Sequence, residues 1–132
     1  MTEALKILIR HRLDRAQEAL SEASYLLQGS FINSTAARCY YACFYAVSAL
    51  LLTKNLSSKT HKGMRVLLSE HYANPGILSA TASRFYSHVF AYRQEGDYDD
   101  FPDISAETAQ NLLAQSQEFV REVSTLTLET LA

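Results

Sequence analysis

The chain has 132 residues, a length that suits one domain with its own hydrophobic core. Only 4 Gly and 2 Pro are present, which leaves little turn chemistry for a β-sheet and favours long helices. The net charge of −2 is unevenly distributed, since residues 1–93 hold 11 Lys and Arg against 5 Asp and Glu, and residues 94–132 hold 1 against 9. This asymmetry fits either a surface for a polyanion or an acidic end that packs beside the basic part.

The N-terminus and the cysteines argue against secretion and against a metal site. Residues 1–15 form an amphipathic pattern with interspersed charges, so we expect no signal peptide, no membrane anchor and a cytoplasmic protein. Cys39 and Cys43 lie four residues apart on one helical face, but no further ligands complete a zinc set. We therefore expect buried, reduced thiols, and neither a metal nor a cofactor.

Two long antiparallel helices are predicted at the start of the chain. The first spans about residues 2–28, with Gly29 as a left-handed C-cap. The second runs from Asn33 to Lys54 and opens on three residues whose side chains can cap a helix, residues 33–35. It is apolar almost all round, which indicates a helix buried by several neighbours, and its first half is too polar for a membrane span. Arg38 lies inside this apolar run and needs a partner.

Three further helices are predicted after residue 58. A short one follows residues 59–63 and stops before the breaker at 74–76. A fourth spans about residues 77–95 and ends at Gly96, before an acidic loop at 97–103. The last begins at Ser105 as its N-cap, and its tail is predicted to fray after residue 124, where Thr and Leu alternate. The sequence thus predicts one all-α domain, an up-and-down bundle of four long helices plus one short helix.

No phosphate-cradling glycine loop, HExxH or G-x-S-x-G motif is present, but two small groups of residues are candidates for binding. Lys59, His61 and Lys62 lie at a predicted helix N-terminus, where free N–H groups attract anions such as phosphates. Arg84 and His88 lie one turn apart, so they could bind a phosphate and move a proton. The alternatives are a solvated loop for the first group and ordinary exposed positions for the second.

A third group follows the fourth predicted helix. Arg93 lies in its last turn, and Asp97 and Tyr98 come just after Gly96. These residues form either a catalytic site or a buried ion pair supported by a tyrosine hydroxyl. In the second interpretation, Asp97 is the partner of Arg38 or Arg93.

The order of four segments resembles the HEPN domain family. The segments are A-A-R-C-Y-Y-A-C-F-Y-A at 36–46, K-T-H-K-G at 59–63, Y-R-Q-E-G-D-Y-D at 92–99 and A-Q-S-Q-E-F-V at 114–120. The resemblance covers about residues 5–123 and is closest to the branch often encoded beside a minimal nucleotidyltransferase. It implies a helical bundle that dimerises, in the setting of prokaryotic toxin–antitoxin operons.

Many HEPN proteins cleave RNA without a metal, using an Arg and a His four to six residues later. Arg93 lies where the resemblance implies that Arg, but the His is missing, since the chain has no His after His88. The match from Arg65 to His71 lies in the short helix and is treated as chance. Some relatives carry a tyrosine that the nucleotidyltransferase modifies, and Tyr98 is the nearest equivalent.

Three functions are therefore weighed. The first is a HEPN-type homodimer that pairs with a nucleotidyltransferase and contributes a nucleotide- or RNA-facing cleft. The second is an active RNase toxin that uses Arg93 with a His supplied from elsewhere, such as His61 or His88. The third is a structural dimer in which Arg38, Asp97 and Tyr98 only clasp the helices together. The sequence favours the first function, with the corner at residues 93–98 as a clasp.

Overall fold

The computed structural model describes residues 1–99 and 104–132, except for the side chains of Asp97 and Tyr98. Five α-helices account for most of these residues, and the described part of the chain contains no β-strand. The helices are α1 (Glu3–Gln28), α2 (Ile32–Leu52), α3 (His61–Leu68), α4 (Ala80–Tyr98) and α5 (Ala106–Leu131). The predicted all-α bundle of four long helices and one short helix is confirmed.

The link between α1 and α2 differs from the prediction in its backbone. Gly29 has φ −83° and is not left-handed, whereas Ser30 has φ 65°. A Cβ at position 29 would lie 2.9 Å from the ring of Phe31, an exposed side chain that would have to turn away. The helix that follows begins at Ile32, with no side-chain cap. The prediction that residues 33–35 cap α2 was therefore wrong, and Thr35 instead donates its hydroxyl proton to the Phe31 carbonyl at 2.9 Å.

Helix α2 forms the centre of the bundle, with α1, α4 and α5 packed around it. Its fully buried side chains come from most of its circumference, as the apolar composition predicted. By length and composition alone α2 could cross a membrane, but 67% of that apolar window is buried inside the bundle. Burial by three neighbouring helices accounts for the same composition in a core helix.

Two local signals set the ends of α3. The Thr60 side chain accepts a hydrogen bond from the Gly63 N–H at 3.0 Å, which caps the helix start. A π-helical turn at Ser69–Ala73 follows α3, and the chain then breaks at 74–76, where Gly76 takes φ 81°. The predicted breaker is confirmed, because only glycine adopts this conformation without strain.

Helix α4 starts and ends later than predicted. Ser79 caps it, and the Glu122 carboxylate accepts hydrogen bonds from both the Ser79 N–H and hydroxyl at 2.8 Å. At the other end, α4 continues through Gly96 to Tyr98. A Cβ at position 96 would lie 3.1 Å from the Asn33 carbonyl oxygen, so Gly96 permits close approach to the start of α2. The prediction that Gly96 ends the helix was wrong.

Helix α5 begins as predicted, since the Ser105 hydroxyl accepts a hydrogen bond from the Thr108 N–H at 3.0 Å. The predicted fraying after residue 124 was wrong, because α5 continues to Leu131. Threonines in this tail donate their hydroxyl protons to carbonyls one turn earlier, and Thr127 is fully buried. Packing therefore holds a segment whose local sequence is a poor helix former.

Candidate functional site

Arg93 lies among aromatic side chains where α4 crosses α2. Its guanidinium donates a hydrogen bond from Nη2 to the Tyr41 hydroxyl at 3.1 Å. The same group lies 5.5 Å from the Tyr41 ring centroid, 5.7 Å from that of Tyr40 and 6.0 Å from that of Phe90. We call these four residues, together with Arg38, the Arg93 cluster. Its rings attract the cation and hold the guanidinium plane in a restricted set of orientations.

Arg38 contacts the same cluster from α2. Its guanidinium lies 4.8 Å from the Tyr41 ring centroid and makes an ion pair with Glu22 of α1 at 3.6 Å. The side chain is only 30% exposed, and Glu22 supplies the partner that this position in the apolar run was expected to need. The clasp predicted between Arg38 and Asp97 lies outside the described residues, because the side chains of Asp97 and Tyr98 are not described. Among described residues, Tyr41 is what links Arg38 to Arg93.

His61 packs against the other side of this aromatic layer. Its ring stacks on Phe90 with centroids 4.2 Å apart and an interplanar angle of 13°, and it also contacts Tyr40 and Tyr86. Both ring nitrogens are buried, and neither has a hydrogen-bond partner among the described residues. Lys59 and Lys62, by contrast, are exposed. The α3 N-terminus thus directs His61 inward and the two lysines outward.

Burial moves the pKa values of three side chains near Arg93 further from 7. Desolvation lowers the pKa of His61, and the nearby charge of Arg65 lowers it further. Burial raises the pKa of Tyr40 to about 12, although the positive charge of Arg93 opposes the rise. The pKa of Tyr86 is also raised by its burial. At neutral pH these three side chains are therefore uncharged beside a permanently charged arginine.

Arg84 and His88 lie in a different part of the structure. Both are exposed and line a groove of about 880 Å³ between α4 and α5, together with Phe85, Phe119 and Arg121. Because each helical residue turns about 100°, His88 lies on a different face of α4 from Arg93. Within one chain the structure does not bring this histidine to the Arg93 cluster, and its predicted catalytic role stays a prediction.

The two cysteines are part of the core. Cys39 and Cys43 are free thiols with no exposed surface. Burial raises the pKa of Cys39 to about 11 and raises that of Cys43 as well, so both thiols stay protonated at neutral pH. Within residues 1–99 and 104–132, no three side chains of His, Cys, Asp or Glu are grouped as metal ligands would be.

One contact partner was missed by the sequence analysis. Tyr41 was treated only as part of the apolar run of α2, yet its hydroxyl and ring bind both arginines of the cluster. Its spacing from Tyr45 and Ser48, at i, i+4 and i+7, carries the missing signal, because it puts three hydroxyl groups on one helical face.

The fold and this cluster define a small all-α bundle with an arginine fixed by aromatic rings at a helix crossing. Comparison with known families gives a more specific assignment, since the model of the HEPN domain family matches residues 9–126. The chain therefore belongs to the HEPN domain family.

Similar proteins occur in bacteria and archaea. The chain is 32% identical to a UPF0332 protein of Thermotoga maritima over 126 residues, which covers 96% of this chain and 95% of the relative. It is 36% identical to a UPF0332 protein of Gloeobacter violaceus over 110 residues, with coverage of 83% and 87%. A Methanocaldococcus jannaschii protein with the name "Putative toxin" is 31% identical over 116 residues, with coverage of 87% and 85%.

Proposed function

We propose that this protein is a HEPN-type homodimer that acts as the partner of a minimal nucleotidyltransferase in a cytoplasmic, prokaryotic toxin–antitoxin-like system. The Arg93 cluster lies in its nucleotide- or RNA-facing cleft. Membership of the HEPN family supports the setting, as does the toxin name of the archaeal relative. The single observation that supports this site is the position of Arg93, whose guanidinium binds the Tyr41 hydroxyl within a layer of aromatic rings.

The chemistry of the Arg93 cluster suits a nucleotide ligand. A guanidinium offers a planar set of donors that matches two phosphate oxygens at once. Aromatic rings beside it offer surfaces on which unpaired bases stack. Arg93 is only partly exposed, so its position is restrained before a ligand arrives, and less conformational freedom is lost on binding.

The same cluster is poorly equipped for cleavage. Metal-free RNA cleavage needs one group to accept the 2′-hydroxyl proton and another to protonate the leaving oxygen. The nitrogens of His61 are buried, and the pKa of Tyr40 is raised to about 12, so neither group exchanges protons readily at neutral pH. These properties favour binding over catalysis.

Partner binding can be tested by co-expression with a nucleotidyltransferase encoded beside the gene. A tagged HEPN chain should retain that partner through size-exclusion chromatography, and light scattering should give the mass of a complex that contains two HEPN chains. A monomer that never retains the partner would refute the proposal. The matched ligand test is RNA or nucleotide binding by the wild type and by Arg93→Ala, with Arg10→Ala on the exposed face of α1 as the control.

The alternative of an active RNase toxin predicts a different result. Expression of the wild type alone should then arrest bacterial growth and degrade RNA, and Arg93→Ala should relieve both effects. Our proposal predicts that RNA stays intact when the wild type is expressed alone. A purely structural dimer would bind neither the nucleotidyltransferase nor RNA.

A further inference from the structure

Three hydroxyl side chains on one face of α2 each hold an arginine. Tyr41, Tyr45 and Ser48 are spaced at i, i+4 and i+7, which aligns them along the helix. Tyr41 accepts a hydrogen bond from Arg93 at 3.1 Å. The Tyr45 hydroxyl accepts one from Arg15 at 3.1 Å, and the Ser48 hydroxyl accepts one from Arg12 at 3.4 Å.

Aromatic rings support the same arrangement. The Arg15 guanidinium lies 5.0 Å from the Tyr45 ring centroid, and that of Arg38 lies 4.8 Å from the Tyr41 centroid. Four arginines are thereby aligned along residues 41–48 of α2, whose seven steps span about 10 Å at the helical rise of 1.5 Å per residue. We call this set, with its two tyrosines and Ser48, the arginine–tyrosine row.

The row lies on a surface that is open between two helices. Arg12 and Arg15 project from α1, Arg93 projects from α4, and α2 forms the floor between them. Within the described residues α1 and α4 do not contact each other. Every member of the row is partly exposed, so a ligand lying along α2 can reach all of the guanidinium groups.

The positive charge of this surface is only partly compensated. Glu22 pairs with Arg38 at 3.6 Å, but Arg12 and Arg15 have no ion pair with any described residue. Their hydrogen-bond partners are neutral hydroxyl groups. The Arg12 and Arg15 cations, held by neutral hydroxyl groups, produce a positive potential that attracts an extended polyanion.

We propose that the arginine–tyrosine row is a binding track for single-stranded RNA, whose backbone runs along α2 and leads into the Arg93 cluster. The proposal rests on the proposed function, because it extends the same cleft toward the α1 end. Guanidinium groups bind successive phosphates, while the tyrosine rings and the arginine planes that cover them stack on bases.

The alternation of arginines with rings favours a single strand over an acidic protein or a duplex. An acidic protein surface would use the charges but would gain little from the tyrosine rings. A duplex keeps its bases stacked on one another, so their faces are not available to Tyr41 and Tyr45. A single strand uses both features of the row.

The test measures binding of a labelled single-stranded RNA by fluorescence anisotropy at several salt concentrations. The probe is a uridine-rich RNA of about 12 nucleotides, within the range of site sizes of single-strand-binding domains. The variant Arg12→Ala/Arg15→Ala removes the α1 half of the row. The control Lys6→Ala/Arg10→Ala removes the same charge from the opposite face of the same helix. Thermal melting checks that both variants fold.

We expect the row variant to bind about tenfold or more weakly at physiological salt, and the control to bind like the wild type. The slope of log K against log salt should fall in magnitude by about 1.4 for the row variant, since each phosphate contact contributes about 0.7 for a single strand. The control loses the same net charge without a phosphate contact, so its slope should stay close to that of the wild type. Arg12→Lys/Arg15→Lys should keep the slope but lose affinity, because lysine retains the charge without the planar donor group.

Several outcomes would overturn the track. Equal RNA binding by the row variant and the control would refute it and leave the proposed function standing, provided that Arg93→Ala still weakens binding. Tighter binding of a duplex of the same length would exclude a single-strand track. If the row variant loses the nucleotidyltransferase but keeps RNA binding, the surface is a protein-docking site. If the wild type binds no RNA at all, the track and the RNA part of the proposed function fail together, whereas co-purification still tests the partner.

Discussion

Tyr86→Phe should stabilise the protein, although it removes a polar group from the side of α4 that carries Arg93. The Tyr86 side chain is fully buried, and its ring stacks on Phe119 with centroids 5.5 Å apart and an interplanar angle of 6°. Its hydroxyl has no hydrogen-bond partner among the described residues. Phenylalanine keeps the ring and the stacking, so the substitution removes only the unsatisfied hydroxyl.

The magnitude follows from the cost of that hydroxyl. An unsatisfied buried polar group costs about 1–3 kcal/mol, and the small cavity left by removing one oxygen offsets part of the gain. We expect Tyr86→Phe to raise the free energy of unfolding by about 1 kcal/mol. For a domain of this size the melting temperature should rise by roughly 3–5 °C.

Tyr72→Phe provides the matched control. Tyr72 is 5% exposed, and its hydroxyl contacts the Leu50 carbonyl at 3.5 Å and the Thr53 hydroxyl at 3.4 Å. Removing these contacts should lower the free energy of unfolding by about 0.5–1.5 kcal/mol. Urea denaturation followed by circular dichroism measures both variants. If Tyr86→Phe destabilises the protein as much as Tyr72→Phe does, the Tyr86 hydroxyl has a partner and our reasoning fails.

Three further predictions concern the elements around the Arg93 cluster. Burial lowers the pKa of His61 in the folded chain, so on acidification the unfolded chain takes up the His61 proton at a higher pH than the folded chain does. The free energy of unfolding should therefore fall as pH drops below about 6.5, and His61→Phe should flatten this part of the stability–pH curve. Gly96→Ala should lower the melting temperature despite alanine's higher helix propensity, because its Cβ would lie 3.1 Å from the Asn33 carbonyl oxygen; a higher melting temperature would show that α4 is free to move. Glu122→Ala should cost about 1 kcal/mol in urea denaturation, because it removes two hydrogen bonds from Ser79; an unchanged midpoint would mean that this cap is dispensable.

The number, order and approximate positions of the helices were predictable from the sequence because their signals are local. Ser105 caps α5 within one turn, and residues 74–76 break the chain through glycine and proline chemistry that involves no distant contact. The composition of α2 was also sufficient to make it the core helix. The segments that resemble the HEPN family located Arg93 before any contact was known.

The partners of the arginines could be determined only from the tertiary structure. Arg38 was expected to pair with Asp97, but its described partners are Glu22 and Tyr41, which depend on how α1 packs against α2. Gly96 resembles a helix end in sequence, yet α4 continues through it to Tyr98, and the absence of a Cβ there lets the start of α2 lie close by. Local propensity sets helix formation, whereas rotation and crossing of the packed helices decide which side chains meet.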